Sequence, residues 1–137
     1  MAVRLVRAVE SDVSCIWRMQ VRAFLPLLAK YHDDNTNPAC ETEDMVLARY
    51  RQPHTDYYLI CAEEETAGAV RVVRREGARC RISPLFVLPE YQGRGIAQAA
   101  IRQLEEIYPS VQWELNTILQ EKGNCHLYEK MGYRRTG

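Results

Sequence analysis

The chain has 137 residues, 47% of them hydrophobic, enough for one core and too little for a comfortable second domain. Lysine plus arginine and aspartate plus glutamate both number 18, so the net charge points to neither nucleic acid nor another polyanion as a partner. No uncharged run approaches the ~20 residues that span a bilayer, and MAVRLVRAVESD lacks an apolar signal core, so a cytoplasmic protein without membrane contact is expected.

VRLVRAV alternates as a first strand. Glu10-Ser11-Asp12 then offers capping groups to a helix with Val13, Ile16, Trp17, Phe24, Leu27 and Leu28 on its apolar side. Pro26 falls inside that pattern, where an interior proline costs roughly 3 kcal/mol, so a break is expected near Leu25. YHDDNTNP, Tyr31 to Pro38, is the strongest loop signal of the first half, and a short helix from Thr42 to Arg51 follows, closed by Pro53. DYYLICAEE and GAVRVVRRE flank Thr66-Ala67-Gly68 as a hairpin, with RCRISPLFV as the third strand of an antiparallel series.

LFVLPEYQGRGIAQAA then joins strand, proline, glycine turn and helix. In that helix Ala97, Ile101, Leu104 and Tyr108 fall on one stripe, Arg102, Gln103, Glu105 and Glu106 lie opposite, and Pro109 stops it. VQWELNTI reads as a strand, NCHLYEKMG as a short helix ended by Gly132, and YRRTG as a stub. The expected fold class is mixed α/β, in the order β-α-α-β-β-β-α-β-α, as a single domain over residues 1–137. The five cysteines, Cys15, Cys40, Cys61, Cys80 and Cys125, lack zinc or disulfide spacing and are expected to be reduced, mostly buried thiols; no metal site is expected.

Gly93 and Gly95 can let several N–H groups face one anion with the positive end of a helix dipole behind them. A tight turn needing glycine for backbone angles alone is the plainer alternative. A Walker A loop is excluded because no Lys-Ser/Thr pair follows. A dinucleotide fingerprint could use Glu114 as its ribose acid, but Gln98 stands where a small residue is needed, Pro89 intervenes after the strand, and too little chain remains beyond Glu114.

Gln92-Gly93-Arg94-Gly95-Ile96-Ala97 resembles the acetyl-CoA signature of the GNAT superfamily of N-acetyltransferases. LFVLPEY matches the lead-in of that signature, and NCHLYEKMGY, Asn124 to Tyr133, looks like the family's second hallmark. The resemblance implies a mostly antiparallel sheet, flanked by helices, that splays where the strand ending at Val87 leaves its neighbour and opens a slot for the pantetheine arm. It also implies that main-chain atoms of Phe86 and Val87 bind the arm and that Gln92, Gly93, Arg94, Gly95, Ile96 and Ala97 hold the phosphates. Arg94 adds a cation there or simply lies in a solvated loop.

The implied activity moves acetyl from acetyl-CoA to a primary amine by direct attack. Val87 N–H would donate to the thioester carbonyl. Tyr128, with an ordinary pKa of ~10 against ~8.5 for a thiol, would protonate the departing thiolate. Asn124, one helical turn earlier, contacts cofactor or caps the helix. RCRISPLFV offers no Glu, Asp or His where some relatives carry a base. Glu114 acts directly, acts through water, or is a plain strand carboxylate; His54 and His126 are weaker candidates. Without a strong base, an acceptor amine of low pKa, such as an α-amine near ~7.7–8.0 rather than a lysine near ~10.4, needs less help. Tyr31, Asp33 and Asp34 lie in the segment that lines the acceptor side in relatives, where the two aspartates draw a cationic amine or are merely solvated. Relatives continue past the Tyr133 region into a final strand, whereas this sequence stops at Gly137, so a C-terminally incomplete domain or a homodimer that covers the open edge is expected. A CoA-binding sensor or interaction module without turnover is the competing expectation.

Overall fold

The computed structural model of the chain describes residues 2–31, 38–109 and 111–115. Along the chain run β1 (Val3–Arg7), α1 (Val13–Tyr31), α2 (Glu43–Tyr50), β2 (Thr55–Ala62), β3 (Glu65–Arg75), β4 (Arg79–Val87), α3 (Ile96–Ile107) and β5 (Gln112–Leu115). The strands form one sheet in sequence order, antiparallel from β1 to β4 and parallel between β4 and β5. A parallel pair cannot be joined by a hairpin, so the chain must cross over, and α3 is that crossover.

Two helical layers enclose the sheet. Ile60, Val70, Val72 and Ile82 pack under Ile96, Ala100, Ile101 and Leu104 of α3. These four positions repeat at helical spacing, which is why α3 buries one stripe and leaves Arg102, Glu105 and Glu106 exposed. On the other side, Ile16 and Met19 of α1 and Val46 of α2 pack with Tyr57, Ala69 and Phe86. Thr42 caps α2 by accepting from Met45 N–H at 3.3 Å, and the helix ends at Tyr50, within the span read from the sequence.

Three expectations need correction. First, α1 runs unbroken through Pro26. The ring lies on the exposed side, so the lost interior hydrogen bond falls where water can serve the freed carbonyl. Second, the β2–β3 turn is Glu63-Glu64, with Glu63 at φ 56°, and Thr66-Ala67-Gly68 lies inside β3. Gly68 is needed there for close approach: a Cβ on it would sit 2.1 Å from the Phe86 carbonyl oxygen of β4. Third, Gln103 does not face solvent. Its amide donates to the Val3 carbonyl and accepts from Leu5 N–H at 3.0 Å, filling the outer edge of β1.

A buried acid ties α3 to the sheet. Asp56 accepts from Arg7 at 2.7 Å and from the Tyr108 hydroxyl at 2.5 Å, and lies 3.2 Å from Arg74 Nε. The Tyr108 hydroxyl also lies 2.8 Å from that of Tyr58. Burial first, and then the hydrogen bonds to Asp56 and Tyr58, push the Tyr108 phenol well above its ordinary range. The unfolded chain therefore releases this proton first as pH climbs. The stability it contributes is complete below the unfolded value of about 10 and is lost progressively above it. Tyr57, raised chiefly by burial, acts in the same direction. Tyr108→Phe should thus lower stability at about pH 8 and flatten its decline toward about pH 11, as read from urea midpoints across that range. An unchanged alkaline slope would remove Tyr108 from this linkage.

Of the cysteines, Cys61 and Cys80 are buried, Cys15 is half-buried and Cys40 exposed, all as free thiols; Cys125 lies outside the described residues. Among the described residues no helix is long and apolar enough to cross a membrane. The expected helix NCHLYEKMG and the stub after it also lie outside them.

Candidate active site

Strand β4 is the spine of the site. Its pairing with β5 runs from Arg79↔Gln112 to Ile82↔Leu115, whereas its pairing with β3 continues to Gly68↔Val87. Leu85, Phe86 and Val87 thus pair with β3 on one edge and with no described strand on the other. Between the pairs Val70↔Leu85 and Val72↔Ile82, β4 carries two residues, Ser83 and Pro84, against the single Arg71 of β3, an irregularity of the kind that bends the strand with the extra residue.

Which backbone groups face the open edge follows from the ladder. Leu88 N–H donates to Ala67 O at 2.8 Å. Antiparallel alternation then turns the N–H and C=O of Val87 away from β3, toward the open edge. The Val87 carbonyl there accepts from Gln92 Nε2 at 3.0 Å. Phe86 points its ring into the α1 side, edge-on to Phe24 with centroids 5.9 Å apart, and so holds this stretch of main chain in place.

Beyond Val87 a 3-10 turn, Pro89–Tyr91, leads into the glycines. Gly93 and Gly95 take φ values of 79° and 76°, and Gly95 is the N-cap of α3. The left-handed backbone alone favours glycine at both positions. A Cβ added at either would meet nothing within 4 Å among the described residues, which leave the space over the turn open. The first N–H groups of α3, at Ile96 and Ala97, have no partner within the helix by construction, and the dipole adds positive potential. Together these are the features a phosphate or pyrophosphate fits. The Ile96 side chain is buried and that of Ala97 half-buried against the core, so the two offer main-chain groups only. Gln92 and Arg94 are exposed, with the Arg94 guanidinium 5.7 Å from the centre of the Tyr91 ring. Tyr91 OH donates to Glu65, and Arg22 forms an ion pair with Glu90 at 2.6 Å, so the two residues that follow Pro89 in this turn are anchored. Neither anchor was singled out from the sequence, where Glu65 and Arg22 carry no motif.

Around Arg71 of β3 a polar cluster occupies the α1–α2 face. Tyr57 and Arg71 are register partners, and Arg71 Nε donates to the Ser83 carbonyl. Nearby, Glu41 accepts from Arg49 on both oxygens and from Gln20 Nε2 at 2.5 Å, while its carbonyl accepts from Trp17 Nε1 at 2.9 Å. Burial alone would raise the Glu41 carboxyl, but Arg49 and Gln20 hold it below the usual range. Burial lowers the Arg71 guanidinium, and the charges of Arg49 and Arg81 push the same way, against Tyr57 and Glu41, which raise it. Tyr57 is 1% exposed, and although Arg49 is near, its hydroxyl has no hydrogen bond of normal geometry among the described residues. The sequence held one signal of this cluster: an arginine between Val70 and Val72 in a strand otherwise apolar there.

Glu114 is the register partner of Arg81 and is half-buried. Both of its oxygens are engaged, one by Arg75 at 3.1 Å and the other by Arg79 at 3.6 Å. His54 passes its carbonyl to Arg74 N–H, six strand residues and roughly 20 Å from Gly68 at the mouth of the open edge. Tyr31 is the last residue of α1; Asp33, Asp34, Asn124, His126 and Tyr128 lie outside the described residues. Among the described residues no group of three His, Cys, Asp or Glu could hold a metal ion.

The family model described as the acetyltransferase (GNAT) family matches residues 21–133. Among solved structures, an acetyltransferase from Thermus thermophilus is similar with a TM-score of 0.78 at 14% identity, over 98% of this chain and 88% of that one. The ribosomal-protein-S18-alanine N-acetyltransferase from Escherichia coli gives 0.76 at 14% identity, over 99% and 80%. An N-acetyltransferase from Thermoplasma acidophilum in complex with coenzyme A gives 0.72 at 12% identity, over 96% and 89%. A search of curated protein sequences finds no match.

Proposed function

This chain belongs to the GNAT acetyltransferase family, and from that premise we propose that it moves an acetyl group from acetyl-CoA to a primary amine. The observation that carries the reading is the space that the described residues leave open over Gly93 and Gly95 at the start of α3, next to a strand edge whose Val87 groups face away from β3. Acetyl-CoA supplies the activated acetyl group as a thioester. Gln92 to Ala97 would hold its phosphates through main-chain N–H groups, with Arg94 free to swing from Tyr91 toward them. Gln92 ties the turn to the Val87 carbonyl, so the phosphate end of the slot lies close to Val87. The Val87 N–H would then donate a hydrogen bond to the thioester carbonyl of the acetylated arm.

Tyr128 is proposed as the acid that protonates the leaving thiolate, and Asn124, four residues earlier in the sequence, as a further cofactor contact. Glu114 has both oxygens in ion pairs, so the reading does not depend on it as a base. An acceptor amine that is already partly neutral near pH 7 removes the need for a strong one. Tyr31, Asp33 and Asp34 remain proposed acceptor-side residues, and a homodimer a proposed assembly.

Thiol release from acetyl-CoA, measured across a panel of amines, tests this. Amine-dependent release supports the transferase. Binding of CoA with no release for any amine would leave a sensor or interaction module instead.

A narrower test concerns the turn. Gly95→Val puts a β-branched residue at positive φ, which costs about 1–2 kcal/mol locally, and fills the open space over the turn. CoA affinity should fall about tenfold or more, by calorimetric titration, in a protein that still folds. Wild-type affinity in the folded variant would exclude the turn from the site.

A further inference from the structure

Between Pro89 and Ala97 the only side-chain cation is Arg94. Its guanidinium lies 5.7 Å from the centre of the Tyr91 ring, within reach of a cation–π contact, and makes no hydrogen bond or ion pair among the described residues. Tyr91 is firmly held for such a contact. Its half-buried ring packs against the apolar cores on both sides of the sheet, and its hydroxyl donates to Glu65 at the start of β3.

The surroundings of the ring are negative. The bond to Glu65 first, and burial next, hold the Tyr91 phenol above its ordinary range; the charges of Glu65 and Glu90 add to this, and Arg94 opposes them. Glu90 is neutralised by Arg22 at 2.6 Å, whereas Glu65 has no cation partner among the described residues. Arg94 is therefore held by the ring face and by the field of an uncompensated carboxylate. A phosphate over Gly93 and Gly95 draws on the same guanidinium, which gives up the ring to serve it.

We propose that Tyr91 and Glu65 form a resting place for Arg94 that competes with the phosphates of the cofactor, so that these two residues set how tightly CoA is held. The proposal rests on the reading of the glycine turn as the phosphate site and adds the residues that tune it; they act through Arg94. Affinity for a ligand that needs Arg94 off the ring falls with the fraction of time the guanidinium spends there. An exposed cation–π contact and a solvent-screened carboxylate each correspond to about two- to fivefold. Acetyl-CoA and the product CoA carry the same phosphates, so a ring that takes Arg94 back favours release of the product.

The test measures CoA affinity by titration calorimetry in the wild type, in Tyr91→Met, Glu65→Gln and Arg94→Gln, and in the two double variants that combine Arg94→Gln with each of the others. Glu65→Gln keeps an acceptor for the Tyr91 hydroxyl and removes the charge; Tyr91→Met removes the ring face and leaves an apolar side chain in the core. Each of these two should bind CoA about two- to fivefold more tightly than the wild type, a direction that loss of a structural support would not produce. Arg94→Gln should weaken binding about threefold or more, and in its background neither change should tighten it. If Tyr91→Met fails to fold or loosens the turn, Glu65→Gln decides alone. Tightening by Glu65→Gln that persists in the Arg94→Gln background would be plain charge repulsion and would overturn the proposal. Weaker or unchanged binding in Glu65→Gln, or wild-type affinity in Arg94→Gln, would overturn it as well. Each of these outcomes leaves the phosphate turn in place, whereas a wild type that binds no CoA would sink both the proposal and the cofactor reading.

Discussion

Replacing Tyr128 with phenylalanine is expected to lower the turnover number by about 10²–10⁴ while leaving acetyl-CoA affinity close to the wild-type value. The substitution removes one hydroxyl and almost no volume, so a loss of that size must come from a proton or a hydrogen bond. In barrier height it corresponds to about 3–5 kcal/mol, more than a neutral hydrogen bond to a bound substrate contributes. The pH profile separates the two cases. If Tyr128 delivers a proton to the thiolate, wild-type activity should decline as the phenol ionises near its ordinary value of about 10, and the variant should lose that limb. A variant that turns over at the wild-type rate would mean that the thiolate takes its proton from water. Tyr128 would then be a packing residue in a familiar motif.

The second large effect is structural. Gly68→Ala adds one methyl group 2.1 Å from the Phe86 carbonyl oxygen, 3.0 Å from Val87 Cα and 3.1 Å from the Phe86 carbonyl carbon. All three atoms are backbone, so no side chain can rotate away and β3 must part from β4. Overpacking of this kind costs about 3 kcal/mol, a large share of the ~5–15 kcal/mol that holds a domain of this size, and should lower Tm by roughly 10 °C. The strand displaced is the one that carries Val87, so CoA affinity should fall in the remaining folded protein too. This contrasts with Gly95→Val, which should affect binding more than stability. A melting curve that does not move would show that the two strands can separate at that point at little cost.

Much of the fold was legible because its elements announce themselves locally. Ala97, Ile101 and Leu104 repeat at helical spacing, two of them buried in α3, and the run from Arg79 to Val87 ends at a Leu-Pro step and a glycine turn. The errors arose where a local signal had a long-range cause. Gly68 looked like a hairpin turn, but the contact that requires glycine is with Phe86, across the sheet. The real turn uses Glu63, a residue that rarely takes positive φ, which propensity could not reveal. Pro26 carried a correct local cost that packing of the surrounding helix outweighed. The phosphate turn could be read because its chemistry is contiguous. The cluster of Glu41, Arg49, Tyr57 and Arg71 could not, because it draws on a loop, a helix and two strands that only the folded sheet brings together. Tyr128 is the opposite case, a residue known only from its motif.

The amide of Gln103 bears on how the chain comes together during synthesis. It serves the outer edge of β1 from 98 and 100 residues further along the sequence. On a ribosome adding roughly 5–20 residues per second, β1 emerges several seconds before that side chain exists. Its inner edge can pair once β2 is made, but the N–H of Leu5 and the carbonyl of Val3 stay open until α3 has formed and docked. The first strand made is therefore among the last to be completed, and through that interval its outer edge is open to a strand from another nascent chain.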